Sequence, residues 1–100
     1  MDPTPYRVTH EFELDFWDIQ EWLYSNEPLA RTNKILSSIL EKLDHINQNP
    51  LHFPEHSQKD STGKPLRKAV HFNTYIIFYR VHSDHVEFLS IFHSSRDRNN

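Results

Sequence analysis

The sequence has 100 residues, which suits one domain with a single hydrophobic core. It lacks cysteine, which excludes disulfide bonds, zinc–thiolate sites and thiol nucleophiles, and its net charge of −3 argues against a general affinity for nucleic acid. No apolar stretch approaches about 20 residues and no basic N-terminal segment precedes an apolar run, so we expect a cytoplasmic protein.

The first half of the chain has the pattern of a short strand followed by two helices. Alternation over residues 6–10 predicts an edge strand. From Glu11 the apolar residues recur at helical spacing, and Pro28 ends this first helix near residue 26. A second helix is predicted from about Pro28 to about Asn47. The apolar stripes of this helical hairpin are Phe12, Phe16, Ile19 and Leu23, then Ile35, Leu36, Ile39, Leu40, Leu43 and Ile46.

The second half of the chain has the pattern of a loop followed by three strands. Residues 49–63 are polar and hold two prolines and the only glycine, so a long loop is predicted. Residues 66–72, 75–81 and 86–92 have strand character and are separated by turn residues. We therefore predict a single α+β domain over residues 1–100. It has a short N-terminal strand, an antiparallel helical hairpin and a three-stranded antiparallel β-meander packed on the helices.

The charges are divided unevenly between the two halves. Residues 1–50 hold four basic and nine acidic side chains, a balance of −5, whereas residues 51–100 hold seven basic and five acidic ones, a balance of +2. An acidic partner surface would therefore be attracted to the sheet half. A solvated sheet face explains the same pattern equally well. The basic residues of this half are Lys59, Lys64, Arg67, Lys68, Arg80, Arg96 and Arg98.

The eight histidines raise the possibility of a metal site, and the two tryptophans that of a binding surface, but the sequence supports both only weakly. His52 with His56, and His82 with His85, have spacings found in metal sites, but zinc needs three or four convergent ligands. We therefore expect no metal and no other cofactor. Trp17 and Trp22 are interpreted as packing residues of the core or of the helical hairpin rather than as a binding hot spot, and exposure of one of them is compatible with this interpretation.

The order of several segments resembles the RelE/ParE superfamily of bacterial toxins. The resemblance begins with Asp15-Phe16-Trp17-Asp18-Ile19 and Trp22, and it continues through Leu43 and Pro50. It then follows 66–68, 75–81, 86–89 and 91–93 as far as Arg96-Asp97. It implies the RelE/ParE fold, a place in a type II toxin–antitoxin system with a role in plasmid stabilization, and a hetero-oligomer with an antitoxin. Such an antitoxin is a partly disordered protein that folds across the toxin.

Within this superfamily the sequence is closer to the ParE-like branch. ParE-like members need no catalytic residues and poison DNA gyrase by binding it. The end of the chain, Ile91-Phe92-His93 with Arg96-Asp97, resembles that branch. Its basic residues Arg67, Arg80, Arg96 and Arg98 are the candidate target contacts. Alternatively, Arg96 forms a salt bridge with Asp15 or Asp18 on the first helix.

The main alternative is a RelE-like, metal-independent endoribonuclease that cleaves messenger RNA on the ribosome. His93 would then act in proton transfer, and Arg67 and Arg96 would stabilise the phosphate charge. Two departures weaken this interpretation, because Ala69 and Ile76 stand where such nucleases carry a lysine and an arginine. Whether the protein is an enzyme stays open, with a binding role favoured. A third possibility is an inactive toxin fold that is retained for antitoxin binding.

Overall fold

Thr9 connects the first strand to the first helix, and its side chain bonds the start of that helix to the sheet. The computed structural model describes residues 6–59 and 65–96. Strand β1 (Tyr6–Val8) precedes Thr9, which is the N-cap of helix α1 (His10–Asn26). The Thr9 hydroxyl accepts the backbone N–H of Phe12 at 3.0 Å, as N-cap residues do. It also donates to the carbonyl of Leu89 at 3.0 Å, so the cap anchors the start of α1 to the sheet.

Helix α2 (Leu29–Gln48) follows α1 after a two-residue connection. Glu27 and Pro28 both have extended backbone angles, because Pro28 disfavours helical angles at the residue before it. The buried Thr32 hydroxyl donates to the carbonyl of Leu23 at 3.0 Å and ties the two helices together. The two predicted helices are confirmed with nearly the predicted bounds. No helix in the described residues has the length and apolar character needed to cross a membrane.

The strands form one mixed five-stranded sheet. They are β2 (Glu55–Lys59), β3 (Pro65–His71), β4 (Tyr75–Val81) and β5 (Val86–His93), and a short 3-10 helix (Ser94–Arg96) follows. The order across the sheet is β1-β5-β4-β3-β2. Strand β1 is parallel to β5, and the other neighbours are antiparallel. The predicted α+β fold with its three-stranded antiparallel meander is confirmed.

The hydrophobic core lies between the two helices and one face of this sheet. Side chains alternate between the two faces of a strand, so every second residue of β4 points to the helices. Burying a large apolar side chain of this kind contributes roughly 1.5–3 kcal/mol to folding. The buried core residues are Phe12, Ile19, Leu23, Leu36, Ile39, Leu43, Ile46, Ala69, Tyr75, Ile77, Tyr79, Val86, Phe88 and Ile91.

The prediction of a continuous loop over residues 49–63 is wrong at β2, which occupies Glu55–Lys59. This strand has the sequence Glu-His-Ser-Gln-Lys, which lacks the apolar alternation that identifies a strand in a sequence. It forms because its backbone pairs with β3, with Glu55 opposite Arg67 and Lys59 opposite Pro65. An edge strand can be polar because it needs backbone partners on one side only. Residues 60–63 of the predicted loop lie outside the described residues.

Neither tryptophan lies in the core, and the interpretation of both as packing residues of the core or of the helical hairpin is wrong for Trp17. Trp17 has 59% of its surface exposed, and Trp22 is exposed as well. The core side of α1 is occupied by Phe12, Ile19 and Leu23, which follow each other at helical spacing. Trp17 therefore lies on the outer side of the helix, and Trp22 lies at its flank.

Candidate functional site

Arg67, the first predicted site residue, is held by Phe53, which lies between α2 and β2, and by Glu55, the first residue of β2. Its guanidinium Nη1 donates to the carbonyl oxygen of Phe53 at 2.6 Å, and Nη2 lies 3.5 Å from a carboxylate oxygen of Glu55. Only 17% of the Arg67 side chain is exposed. Arg67 thus connects β3 to the segment for which a loop was predicted, residues 49–63. Its charge is partly compensated within the chain.

Arg80 lies on the sheet face opposite to the helices. Its Nη1 is 3.4 Å from a carboxylate oxygen of Glu87, the residue opposite it on β5. The same oxygen lies 2.9 Å from Nε2 of His82. The Arg80 side chain is 18% exposed. Because strand residues of odd and even number point to different faces, Arg80 does not lie on the helix-facing side of β4 with Tyr79.

His93 ends β5 at the other end of the sheet. Its Nδ1 accepts the backbone N–H of Ser95 at 3.1 Å and lies 2.7 Å from the Ser95 hydroxyl. Since Nδ1 is an acceptor, the proton of the neutral ring is on Nε2. The ring meets the edge of Tyr75 at 5.4 Å between centroids. The backbone of Arg96 belongs to the 3-10 helix that follows. The Arg96 side chain and Arg98, both predicted contacts, lie outside the described part of the structure.

The strand register separates His93 from Arg67. His93 pairs with Tyr75 on β4, whereas Arg67 pairs with Tyr79. These two rows are four residues apart, or about 13 Å along the strand, and the residues are also two strands apart, about 10 Å. The two residues at which the sequence departs from the nuclease pattern, Ala69 and Ile76, are apolar and paired within the sheet. Ala69 is fully buried and pairs with Ile77, and Ile76 pairs with Val70.

The histidine pair at the β4–β5 turn is bonded to carboxylates. The rings of His82 and His85 stack with 4.5 Å between centroids. His85 Nδ1 lies 2.7 Å from a carboxylate oxygen of Asp84, and this hydrogen bond is the main reason that the pKa of Asp84 is lowered. Within residues 6–59 and 65–96, no three His, Asp or Glu side chains converge in a group that could hold a metal ion.

A groove of about 760 Å³ lies between the helical hairpin and the end of the meander that carries His93. Its floor is apolar, and Trp22 and Phe72 stand exposed at its rim. Charged side chains from α2 and from the connection between the helices border it, among them Arg31 and Glu27, whose Nε and Oε1 atoms are 3.0 Å apart. The lining residues are Trp22, Leu23, Glu27, Arg31, Lys34, Ile35, Ser37, Ser38, Glu41, His71, Phe72, Thr74, Tyr75 and His93.

His71 and Ser38 form a polar contact in the wall of this groove. His71 Nε2 lies 3.0 Å from the hydroxyl oxygen of Ser38. That hydroxyl has one proton, and it donates to the carbonyl of Ile35 at 2.7 Å. Nε2–H of His71 therefore donates to the serine oxygen, the reverse of what an activated serine nucleophile requires. Burial, and to a smaller extent the nearby charge of Lys42, lowers the pKa of His71 from its usual 6.5.

Phe72 projects from the tight turn between β3 and β4. Phe72 and Asn73 both have positive φ angles, 54° and 55°. This region is uncommon for a residue with a bulky side chain and costs about 1–3 kcal/mol. Phe72 is nevertheless 75% exposed, with its ring 4.1 Å from that of His71. Phe72 and His71 were not predicted as site residues, although the alternation of β3 places His71 on the same face as Ala69.

The fold and the placement of these residues define a small α+β domain with a helical pair on one face of a mixed sheet. A family model described as "ParE toxin of type II toxin-antitoxin system, parDE" matches residues 6–98, and the chain belongs to that family. Among solved structures, the chain is similar to the conserved hypothetical protein HP0894 from Helicobacter pylori, determined in solution, with 20% sequence identity and a TM-score of 0.55. That similarity covers 92% of this chain and 96% of the other. No curated protein sequence matches the chain.

Proposed function

We propose that this toxin-family protein inhibits growth by binding DNA gyrase and trapping cleaved DNA, and that a cognate antitoxin neutralises it. The observation that carries the proposal is the separation of Arg67 from His93 at opposite ends of the meander. Phosphoryl-transfer catalysis without a metal needs a proton-transfer group and fixed cations aimed at one phosphate. A protein that acts by binding needs no such convergence, so this geometry favours the binding role over the nuclease alternative.

The internal partners of the arginines support the same choice. Arg67 is engaged by Phe53 and Glu55, and Arg80 is close to Glu87. A cation that is already partly compensated stabilises an added phosphate charge less than an uncompensated one. Arg96 and Arg98, at the end of the sheet half, remain our proposed main contacts to the target, with Arg67 and Arg80 contributing to the local positive potential. Binding to gyrase would require the protein to act in the cytoplasm, which is the location that we propose.

The groove beside α2 is the proposed antitoxin-binding site. Its floor of Leu23, Ile35 and Tyr75 suits apolar side chains of a segment that folds on binding. Arg31, Lys34, Glu27 and Glu41 give its border both signs of charge. An antitoxin segment in this groove would cover Trp22 and Phe72 at the rim. The apolar part of the antitoxin would thus meet the helical half, and its acidic part the basic sheet half.

Expression of the chain alone in a bacterial host tests the proposed target. Gyrase poisoning predicts growth arrest with accumulation of cleaved DNA complexes, a DNA-damage response and continued translation. The alternative nuclease predicts rapid loss of translation and cut messages. Growth that is unaffected at matched protein levels would support the inactive toxin fold. Purified protein should also increase cleavage of supercoiled DNA by purified gyrase, and failure to do so in toxic preparations would contradict the proposal.

Matched variants separate the two mechanisms. His93→Ala should leave growth arrest intact, with the exposed His10→Ala as its control, because gyrase binding requires no proton transfer. Loss of arrest in His93→Ala alone would favour the nuclease. Conversely, Arg98→Glu should reduce arrest, whereas Arg7→Glu, the same charge change at an exposed position on β1, should not. Equal effects of the two charge changes would remove Arg98 from the target contacts.

A further inference from the structure

Helix α1 has a second apolar stripe on the side that faces away from the core. Leu14 and Tyr24 are each 54% exposed, and Trp17 between them is 59% exposed. With Glu21, these residues follow each other at steps of three, four and three positions, so they line up along one side of a helix. The core side of the same helix is formed by Phe12, Ile19 and Leu23. The stripe is therefore additional to the apolar face that folding requires.

The spacing of the stripe indicates the shape of its partner. Alternating steps of three and four residues place side chains in the seam at which two helices pack together. A partner helix laid along α1 would meet Leu14, Trp17, Glu21 and Tyr24 over three turns. Large exposed aromatic residues of this kind are the usual energetic centres of protein interfaces. A helix is thus the element that fits this surface.

The charges around the stripe indicate the chemistry of its partner. Residues 10–26 contain five acidic side chains and no lysine or arginine. Glu13, Asp18 and Glu21 are exposed beside or within the stripe. The Oε1 atom of Glu13 is 3.7 Å from Nδ1 of the exposed His10. Asp18 and Glu21 form no ion pair within the described residues. A basic helix would complement these carboxylates, whereas a second copy of α1 would bring like charges together.

We propose that the outer stripe of α1, made of Leu14, Trp17, Glu21 and Tyr24, binds a basic amphipathic helix of a partner protein. This surface is distinct from the groove, whose rim residue Trp22 lies at the flank of α1. The interaction does not depend on gyrase poisoning, and it leaves the groove available to another ligand. The apolar side of the partner helix covers Trp17, and its lysine or arginine side chains meet Asp18 and Glu21.

A synthetic peptide provides the test. The probe is a fluorescently labelled peptide of about three heptads, with leucine at the two seam positions of each heptad and lysine beside them. Its binding to the full chain is measured by fluorescence anisotropy, and the same peptide with glutamate in place of lysine serves as the control probe. We expect the lysine peptide to bind with a Kd of roughly 10 µM, and the glutamate peptide to bind at least about 10-fold more weakly. Equal binding of the two peptides, or no binding of the lysine peptide, would overturn the proposal.

Variants locate the binding surface on the protein. Trp17→Ser should weaken binding of the lysine peptide by about 30-fold, and Leu14→Ser provides a second variant of the same stripe. Glu21→Lys should weaken it by about 5- to 10-fold, and added salt should reduce that difference. Leu40→Ser, at an exposed leucine on α2, is the matched control and should change binding by less than about 2-fold. An equal loss in Leu40→Ser would show that binding is unspecific.

Analytical ultracentrifugation of the wild-type chain tests whether a second copy of the same chain, instead of a partner protein, covers the stripe. A monomer over the concentration range of the binding experiment supports a partner of different chemistry. A dimer that Trp17→Ser dissociates would show instead that a second copy covers the stripe, and it would overturn the proposal. Because Trp17 is largely exposed, the folding of this variant should match that of the wild type, which circular dichroism checks.

Discussion

His71 donates a hydrogen bond from Nε2 to the Ser38 hydroxyl oxygen across 3.0 Å, and this contact joins β3 to α2 in the wall of the groove. His71 is 6% exposed, so its ring is packed among groups that favour the neutral form. The contact links the end of the meander that carries His93 to the helix that borders the proposed antitoxin site. We therefore expect the neutral form of His71 to contribute to the stability of this wall of the groove.

Removing the Ser38 hydroxyl should destabilise the fold. Ser38→Ala leaves Nε2–H of His71 without its serine acceptor in a partly buried site, which costs about 1 kcal/mol in free energy of unfolding. Ser37→Ala, at the exposed neighbouring position, is the control and should change this free energy by less than about 0.5 kcal/mol. Urea denaturation of the three proteins measures the difference. Equal stability of Ser38→Ala and wild type would show that the contact contributes nothing.

The lowered pKa of His71 should make the fold less stable in mild acid. The unfolded chain binds a proton at the usual pKa of 6.5, whereas the folded chain binds it only at lower pH. Between these two pKa values the unfolded state holds more protons, so stability falls as the pH drops below about 6.5 and is complete above it. His71→Gln keeps a side-chain donor but does not titrate. Thermal unfolding from about pH 7.5 to about pH 5 should therefore lose less stability in His71→Gln than in the wild type.

The exposed His10 provides the control for this pH dependence. His10 is exposed at the start of α1, and His10→Gln should keep the full loss of stability in acid. If His71→Gln and the wild type lose the same stability on acidification, burial of His71 does not govern the pH dependence. The comparison is informative because the two variants change the same functional group in buried and exposed surroundings.

The strand pattern of this chain shows which parts of the fold a sequence can predict. The runs that became β4 and β5 are apolar and bounded by turn residues, so their existence and pairing were predicted correctly. Strand β2 is polar and depends on backbone pairing with β3, a contact that its own residues do not encode. The strand character of residues 66–72 likewise predicted β3 nearly with its observed bounds.

The contacts of the candidate site were harder to predict from the sequence than the fold. Ser38 and His71 are far apart in the chain, and only the packing of α2 on the sheet brings them together. The separation of Arg67 from His93 follows from the strand register, which the sequence alone does not fix. Trp17 was interpreted as a packing residue of the core or of the helical hairpin because large aromatic side chains usually bury much area, whereas helix α1 carries apolar residues on two sides.

Phe72 should not stabilise the fold, because its backbone at the turn with Asn73 has a positive φ angle. Phe72→Asn places a residue that tolerates positive φ at this position, so we expect unchanged or slightly higher stability, by up to about 1 kcal/mol. Asn73→Ala should instead destabilise the fold by about 1 kcal/mol, because alanine at positive φ is strained. Thermal unfolding compares the two. A clear loss of stability in Phe72→Asn would mean that the contact of Phe72 with His71 outweighs the backbone strain.

Tyr79 should ionise only well above the usual pH range of a tyrosine. Its hydroxyl donates to the carbonyl of Pro50 at 2.7 Å, and burial raises its pKa to about 12. The unfolded chain loses this proton near the usual value of 10, so the contribution of Tyr79 to stability is complete below that pH. It falls as the pH rises from about 10 towards 12. Tyr79→Phe removes both the titration and the hydrogen bond, and should cost about 1 kcal/mol at neutral pH.

Spectrophotometric titration tests Tyr79 directly. In the folded wild type, phenolate absorbance that develops near pH 12 should be missing from Tyr79→Phe, whereas Tyr24→Phe, at an exposed position, should retain it. The same two variants separate the hydrogen bond from general effects of losing a hydroxyl, because Tyr24→Phe should leave the unfolding free energy at neutral pH nearly unchanged. If Tyr79→Phe were as stable as the wild type, the bond to Pro50 would not hold the connection after α2 in place. Arg67 would then be the main anchor of that connection, through its hydrogen bond to Phe53.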